Sequence, residues 1–217
     1  MLRLELPRPK KGPLKILCLG AHSDDIEIGC GGTLIQFLAR RRSVAIDWVV
    51  FSGDDVRAAE ARASARRMAA GRRPRVETKK FRDGFFPSQI LAIKEEFEKL
   101  KRRPSPDIVF CPWRGDAHQD HRLLGELAWN TFRDHLILEY EIPKYDGDWG
   151  TPNVYVPLAE EAAARKVEHL VKSFPSQAGN VWFSEETFRA VLRLRGIECN
   201  AESGQAEAFY GRKLTLG

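Results

Sequence analysis

The chain has 217 residues, 43% hydrophobic and 30% charged, with a formal net charge of +5, the balance of a soluble globular protein with one sizeable core. No stretch approaches the roughly 20 apolar residues of a membrane-spanning helix, and no repeat or low-complexity tract is present. Cys18, Cys30, Cys111 and Cys199 form no CxxC pair and read as free thiols of a reducing compartment.

In chain order, Pro7-Arg8-Pro9-Lys10-Lys11-Gly12-Pro13 interrupts the basic start, and the apolar run after it is short and holds Lys15. No secretory signal is supported, and a cytoplasmic location is expected. Leu14 to Gly20 reads as a buried strand, Gly31 to Arg42 as a helix with Leu34, Phe37 and Leu38 on one face, and Val44 to Phe51 as a strand. Asp54 and Asp55 open a second helix with Val56, Ala59, Ala63 and Met68 inward, ended by Gly71 before Pro74. Val76 to Phe81 is extended. Ser88 is the expected N-cap of a helix to about Arg103, carrying Ile90, Ile93, Phe97 and Leu100 and stopped by Pro104 and Pro106. Asp107 to Pro112 is a strand, and His118 to Phe132 a helix with Leu123, Leu127 and Phe132 inward. Beyond it come a strand from Leu136 to Ile142, a loop over Pro143 to Asn153 and an apolar run from Val154 to Leu158. Helices over Ala159 to Ser173 and Glu185 to Leu194 and a strand over Ala206 to Leu216 complete the reading.

The fourfold alternation of strand and helix predicts an α/β domain over residues 1–217, with a mostly parallel sheet covered on both faces. Ligands of such sheets bind beyond the carboxyl ends of the strands, where strand order reverses. Two polar clusters sit at such ends: Ala21-His22-Ser23-Asp24-Asp25 after the first strand, and His118-Gln119-Asp120-His121-Arg122 after the run Ile108-Val109-Phe110. A lone His-x-x-Asp is usually an exposed turn with a cap, but two His/Asp clusters at equivalent strand ends point to a metal site. His22 and Asp25, three apart, suit two ligands of one zinc ion, which leaves Asp24 free to take a proton from water. Spacing does not choose between His118 and His121 as a third ligand. Three ligands leave one open position, the mark of a catalytic zinc.

Gly29-Cys30-Gly31-Gly32 does not fit G-x-G-x-x-G, and the carboxylates before it would repel a pyrophosphate. These glycines read instead as permitting close packing between turn and helix. Trp113, Tyr145 and Trp149 are candidate platforms for a sugar ring, with simple packing as the alternative. The basic clusters Arg40-Arg41-Arg42, Lys79-Lys80 and Lys101-Arg102-Arg103 read as solvated faces. No motif that reads RNA or DNA accompanies them.

Together, the Ala21–Asp25 and Gly29–Gly32 segments and His118-Gln119-Asp120-His121-Arg122 resemble the paired signatures of the PIG-L/LmbE family of zinc-dependent N-deacetylases, which act on N-acetylated amino sugars. The resemblance covers about the first two-thirds of the chain. It implies a Rossmann-like three-layer fold, His22, Asp25 and His121 as zinc ligands, Asp24 as general base, and His118 as second acid or oxyanion stabiliser, oriented by Asp120. Arg57, with Glu60, resembles the family's Arg-x-x-Glu, and Asp83 a substrate-contacting aspartate. Ser23 stands where the family usually has proline, and Asp116 where some members have tyrosine. The Tyr140 to Leu158 stretch resembles a bacterial subgroup associated with surface-polysaccharide sugars. The implied substrate is an N-acetylated sugar, with nucleotide- and lipid-linked forms and homo-oligomer formation left open. The alternatives are a zinc hydrolase of another amide or ester and a non-catalytic anion-binding module.

Overall fold

Along Leu14–Gly20 (β1), successive side chains enter opposite layers: Leu14, Ile16 and Cys18 join one core cluster, Leu17 and Leu19 the other. A strand of this kind is buried on both sides, so it reads as a continuous apolar run. The computed structural model describes residues 3–5, 12–40, 43–69 and 71–215. The 7–11 stretch, Arg41, Arg42 and Leu216 lie outside the described residues.

The remaining strands are Val44–Ser52 (β2), Arg75–Phe81 (β3), Ile108–Pro112 (β4), Leu136–Tyr140 (β5), Val154–Pro157 (β6) and Ala206–Gly211 (β7). They form one seven-stranded sheet in the order β3-β2-β1-β4-β5-β7-β6. β1 to β5 pair in parallel, and β7 pairs antiparallel with both β5 and β6. Helices Asp25–Arg40 (α1), Asp55–Met68 (α2), Glu160–Ser173 (α5) and Glu185–Glu198 (α6) cover one face; Ile90–Lys101 (α3) and Gln119–Thr131 (α4) cover the other. The result is the mostly parallel, three-layer α/β architecture expected. Its strand order reverses at β1, whose neighbours are β2 and β4. No helix among the described residues is long and apolar enough to cross a membrane. All four cysteines are buried and unpaired.

Several element boundaries and the buried face of one helix depart from the sequence expectation. α1 begins at Asp25, so the glycine cluster lies inside the helix. A Cβ on Gly29 would stand 2.1 Å from the Tyr140 ring, and one on Gly32 2.5 Å from Leu158, so these glycines allow contact rather than break the helix. The buried face of α2 is Ala58, Ala61, Ser64, Ala65 and Met68, while Val56, Ala59 and Ala63, expected inward, are exposed. Ser88 caps no α-helix: its Oγ donates to Phe85 O within a 3-10 turn, and α3 starts after Gln89. β7 stops at Gly211, and α6 runs on to Glu198.

α1 carries an unusual brace. Lys166 Nζ donates to Ile28 O at 2.5 Å, and Glu207 accepts from Gly32 N at 2.8 Å and Thr33 N at 2.6 Å. Lys166 and Glu207 are buried and joined at 2.5 Å. The C=O of residue 28 and the N–H of residue 32 are the two ends of one helical ladder link, so this ion pair serves backbone groups in the middle of α1.

Candidate metal centre

The turn after β1 is fixed from both sides. Ser52, at the end of β2, donates to Ala21 O from its backbone N at 2.9 Å and its Oγ at 2.8 Å. Asp25, in the first turn of α1, reaches back to accept the His22 N–H at 2.8 Å. An anion in this place is also favoured by the helix dipole. Across the sheet, His118 is the N-cap of α4 and its Nδ1 accepts the Asp120 N–H at 3.2 Å. One turn into α4, His121 is buried and faces α1.

The two halves meet at three atoms. His22 Nδ1 and His121 Nε2 are 3.0 Å apart, and Asp25 Oδ2 lies 3.6 Å from the first and 3.4 Å from the second. A tetrahedron with bonds of about 2.0–2.1 Å has edges of about 3.3–3.4 Å, so the triangle has the dimensions of one face of a zinc site. The outer ring nitrogens support this fit. His121 Nδ1 bonds Asp116 Oδ2 at 2.9 Å, a carboxylate that calls for a proton there, while His22 Nε2 lies 3.0 Å from Asp83 Oδ1 without the geometry of a hydrogen bond. A neutral His121 therefore turns its Nε2 lone pair toward Asp25 and His22 Nδ1, an arrangement that a proton or a cation relieves. His22, His118 and His121 also group closely enough to hold an ion.

Charge in the protein alone follows the same pattern. Burial opposes ionisation of Asp25, but the His121 and His22 imidazoles outweigh it and hold the carboxyl well below the usual range. Burial also opposes protonation of His121, yet Asp25 and Asp116 raise it to about 9. His22 is likewise raised against burial, by Asp25, Asp120 and Asp83. Metal binding at such a site must displace these protons.

Asp24 lies beside the triangle. Its Oδ1 accepts from Arg57 Nη2 at 3.0 Å, whereas its buried Oδ2 has no partner. Burial raises its pKa, and the Arg57 charge opposes the rise. Arg57 is itself held by Asp54, which accepts its N–H at 2.8 Å and caps α2. Arg57 Nη1 stands 3.8 Å from Asp83 Oδ2. The more exposed Asp83 thus forms a rim beside His22 and Arg57. Glu60 is elsewhere: it binds Ser176 through N and Oγ at 3.0 and 2.5 Å.

The side-chain pair expected between His118 and Asp120 is not formed. The Asp120 carboxylate accepts Gly84 N at 2.6 Å and Phe86 N at 3.0 Å, and sits 3.6 Å from His22 Nε2. Its short side chain follows the turn before α3, and only its backbone N–H meets His118. Trp113 stacks on Tyr210 at 4.4 Å and 7°, a packing role. Within the basic clusters, Lys79 pairs with Glu77 and Glu96, Lys80 with Asp55, and Arg103 with Glu77.

Asp116 was not among the site residues picked from sequence. It orients His121 through Oδ2, and its Oδ1 accepts His118 N at 2.7 Å and lies 3.0 Å from Lys144 Nζ. A carboxylate in the loop between β4 and the second cluster was the available signal.

Residues 17–132 match the model of the family described as PIG-L, GlcNAc-PI de-N-acetylase. Among solved structures, N,N'-diacetylchitobiose deacetylase from Pyrococcus horikoshii is 21% identical, with TM-score 0.70, over 92% of this chain and 84% of its own. The zinc-inhibited form of teicoplanin deacetylase Orf2 is 14% identical, with TM-score 0.69, over 91% and 97%. GalB, the 4-carboxy-2-hydroxymuconate hydratase from Pseudomonas putida KT2440, is 15% identical, with TM-score 0.65, over 94% and 98%. At these identities the likeness is one of fold.

Proposed function

Because the chain belongs to the PIG-L family, we propose that it is a zinc-dependent N-deacetylase that hydrolyses the acetamido group of an N-acetylated amino sugar. The observation that carries this reading is the convergence of His22 Nδ1, Asp25 Oδ2 and His121 Nε2 on one point beside the unpartnered Asp24 Oδ2. His22, Asp25 and His121 would hold the ion, with one position left for water and substrate. Zinc there would supply Lewis-acid polarisation of the carbonyl and acidify the attacking water.

Asp24 takes the water proton at Oδ2 while Arg57 holds Oδ1, aims the carboxylate and opposes the rise in its pKa that burial causes. His118 acts as a neutral donor. Its Nδ1 is occupied as an acceptor, which leaves the ring proton on Nε2, and its pKa is lowered by burial and then by His121 and His22. A neutral N–H suits a developing oxyanion. The amine leaving group then takes the proton from Asp24 Oδ2, the C–N bond breaks, and acetic acid and free amine result, which leave as acetate and the protonated amine once the acid proton has passed to the amine. Asp83 and Arg57, at the rim, are proposed substrate contacts.

A non-catalytic anion-binding role would leave the buried His/Asp triangle unused. Acetate release tests the proposal with N-acetylated amino sugars supplied free, nucleotide-linked and lipid-linked. Metal-dependent release from at least one class, abolished by chelation and restored by zinc, is expected. Metal-loaded protein that releases acetate from none of them would overturn the reading.

A further inference from the structure

The loop over residues 143–150 is tied to His121 by a single lysine. Lys144 Nζ lies 3.0 Å from Asp116 Oδ1 and donates to both oxygens of Asp148, at 2.7 and 2.6 Å. Its side chain is only 10% exposed and that of Asp116 only 2%. Asp148 Oδ2 also accepts the Ala117 N–H at 2.6 Å, so the loop is sewn to the segment leading into His118. Gly147, at φ +61°, allows the turn between Lys144 and Asp148. The same loop carries the exposed rings of Tyr145 and Trp149. A continuous path thus runs from a solvent-facing aromatic loop through Lys144 and Asp116 to His121 Nδ1.

We propose that Lys144 is a positioning residue that couples this loop to the metal centre, so that metal bound by His121 orders the loop and an ordered loop tightens metal binding. The inference rests on the metal reading above. Asp116 is a carboxylate behind a metal-facing imidazole, the arrangement that fixes ring orientation and tautomer in metal sites. Lys144 is its cationic partner on the other oxygen. Without it, the buried carboxylate has lost half of its charge pairing, and its hold on the His121 ring loosens. Because coupling between two equilibria is reciprocal, whatever the loop contributes to metal affinity the metal returns to the loop.

The test uses the full chain and zinc alone, with no substrate. Chelator competition measures zinc affinity, and hydrogen–deuterium exchange follows the peptide spanning 143–153 with and without zinc. In the unaltered protein, zinc slows exchange in that peptide. Lys144→Met lowers zinc affinity about 10- to 100-fold and removes the zinc-dependent protection, while Lys144→Arg retains most of both. Should Lys144→Met fail to fold, Asp148→Ala, which leaves the Lys144–Asp116 contact in place, loses the zinc-dependent loop protection. Equal zinc affinity in folded Lys144→Met, or a loop in the unaltered protein whose exchange ignores zinc, overturns the coupling alone. An unaltered protein that binds no zinc overturns the metal reading as well, and the two failures are thereby told apart.

Discussion

Arg57 binds only one of the two Asp24 carboxylate oxygens, Oδ1 at 3.0 Å, and leaves Oδ2 buried and free beside His22 and Asp25. A carboxylate so divided is held still at one oxygen and available at the other. Asp24→Asn is expected to retain the metal and to lower kcat by roughly 10² to 10⁴. Arg57→Met removes the charge that opposes the burial-driven rise in the Asp24 pKa. A base must be ionised, so the acid limb of the kcat/KM profile should move to higher pH in that variant. A limb that moves to lower pH, or stays, contradicts the assignment of Asp24.

The two histidines of the second cluster should separate cleanly. His121→Ala deletes one corner of the triangle and should yield protein with little bound zinc. His118→Ala should keep the metal and lose about 10² to 10³ in rate, as for a missing oxyanion donor. Metal content and kcat measured on the same preparations decide the matter: loss of zinc in His118→Ala with zinc kept in His121→Ala reverses the roles.

Asp120 should behave as a partner of His22 and of the turn before α3. Its buried carboxylate accepts two backbone N–H groups, so Asp120→Ala leaves both donors unpaired. The cost should be on the order of 2–3 kcal/mol, or a fall in Tm of about 2–4 °C for each kcal/mol in a chain of this size. In double-mutant cycles on zinc affinity, Asp120 should couple to His22 more strongly than to His118. Coupling to His118 alone would restore the role inferred from family resemblance.

A second buried network, away from the metal centre, makes acid stability a separate observable. Ser64 Oγ is bonded to Glu27 Oε1 and, at 2.8 Å, to His169 Nε2. Burial, aided by Arg67 and Arg165, lowers the His169 pKa to about 4. The unfolded chain therefore takes this proton near pH 6.5 while the folded protein resists it until about pH 4. Stability from this group is complete above the unfolded value and is lost as pH falls through that window, by on the order of 2–3 kcal/mol. His169→Gln should flatten that part of the stability curve, measured by urea unfolding at a series of pH values. An unchanged slope between pH 6.5 and 4 would assign the acid sensitivity to other groups.

What was legible in the sequence, and what was not, follows from physical causes. β1, β2 and β4 announce themselves because strands buried on both faces are largely apolar, and the polar clusters stand out because they follow such runs at the reversal of strand order. The start of α1 was hidden by Gly29, Gly31 and Gly32, which look like breakers until Tyr140 and Leu158 are seen against the helix. The buried face of α2 was hidden because alanine populates both sides of it. Two imidazoles three residues apart are equivalent along a helix; what sets them apart is Asp116 behind His121 and the Asp120 N–H on His118 Nδ1. The contacts of the Asp120 carboxylate could not be read from its neighbours in sequence, because its partners, the Gly84 and Phe86 amides, are more than thirty positions upstream.

The brace on α1 bears on the order in which the molecule is assembled. Lys166 and Glu207 reach their backbone partners across sequence separations of 138 and 175 residues, and contacts this remote form slowly because a long loop must close first. Asp25 heads α1 and Glu207 lies on the last strand, so the helix that bears the first half of the metal centre is finished only after the far end of the chain has docked. Glu207→Gln should accordingly slow the recovery of zinc binding during refolding more than it slows the gain of overall helicity, two signals that a one-step folding reaction would keep together. The metal capture proposed above is accordingly expected to be a late event on the ribosome, one that waits for β7 however early β1 and α1 emerge.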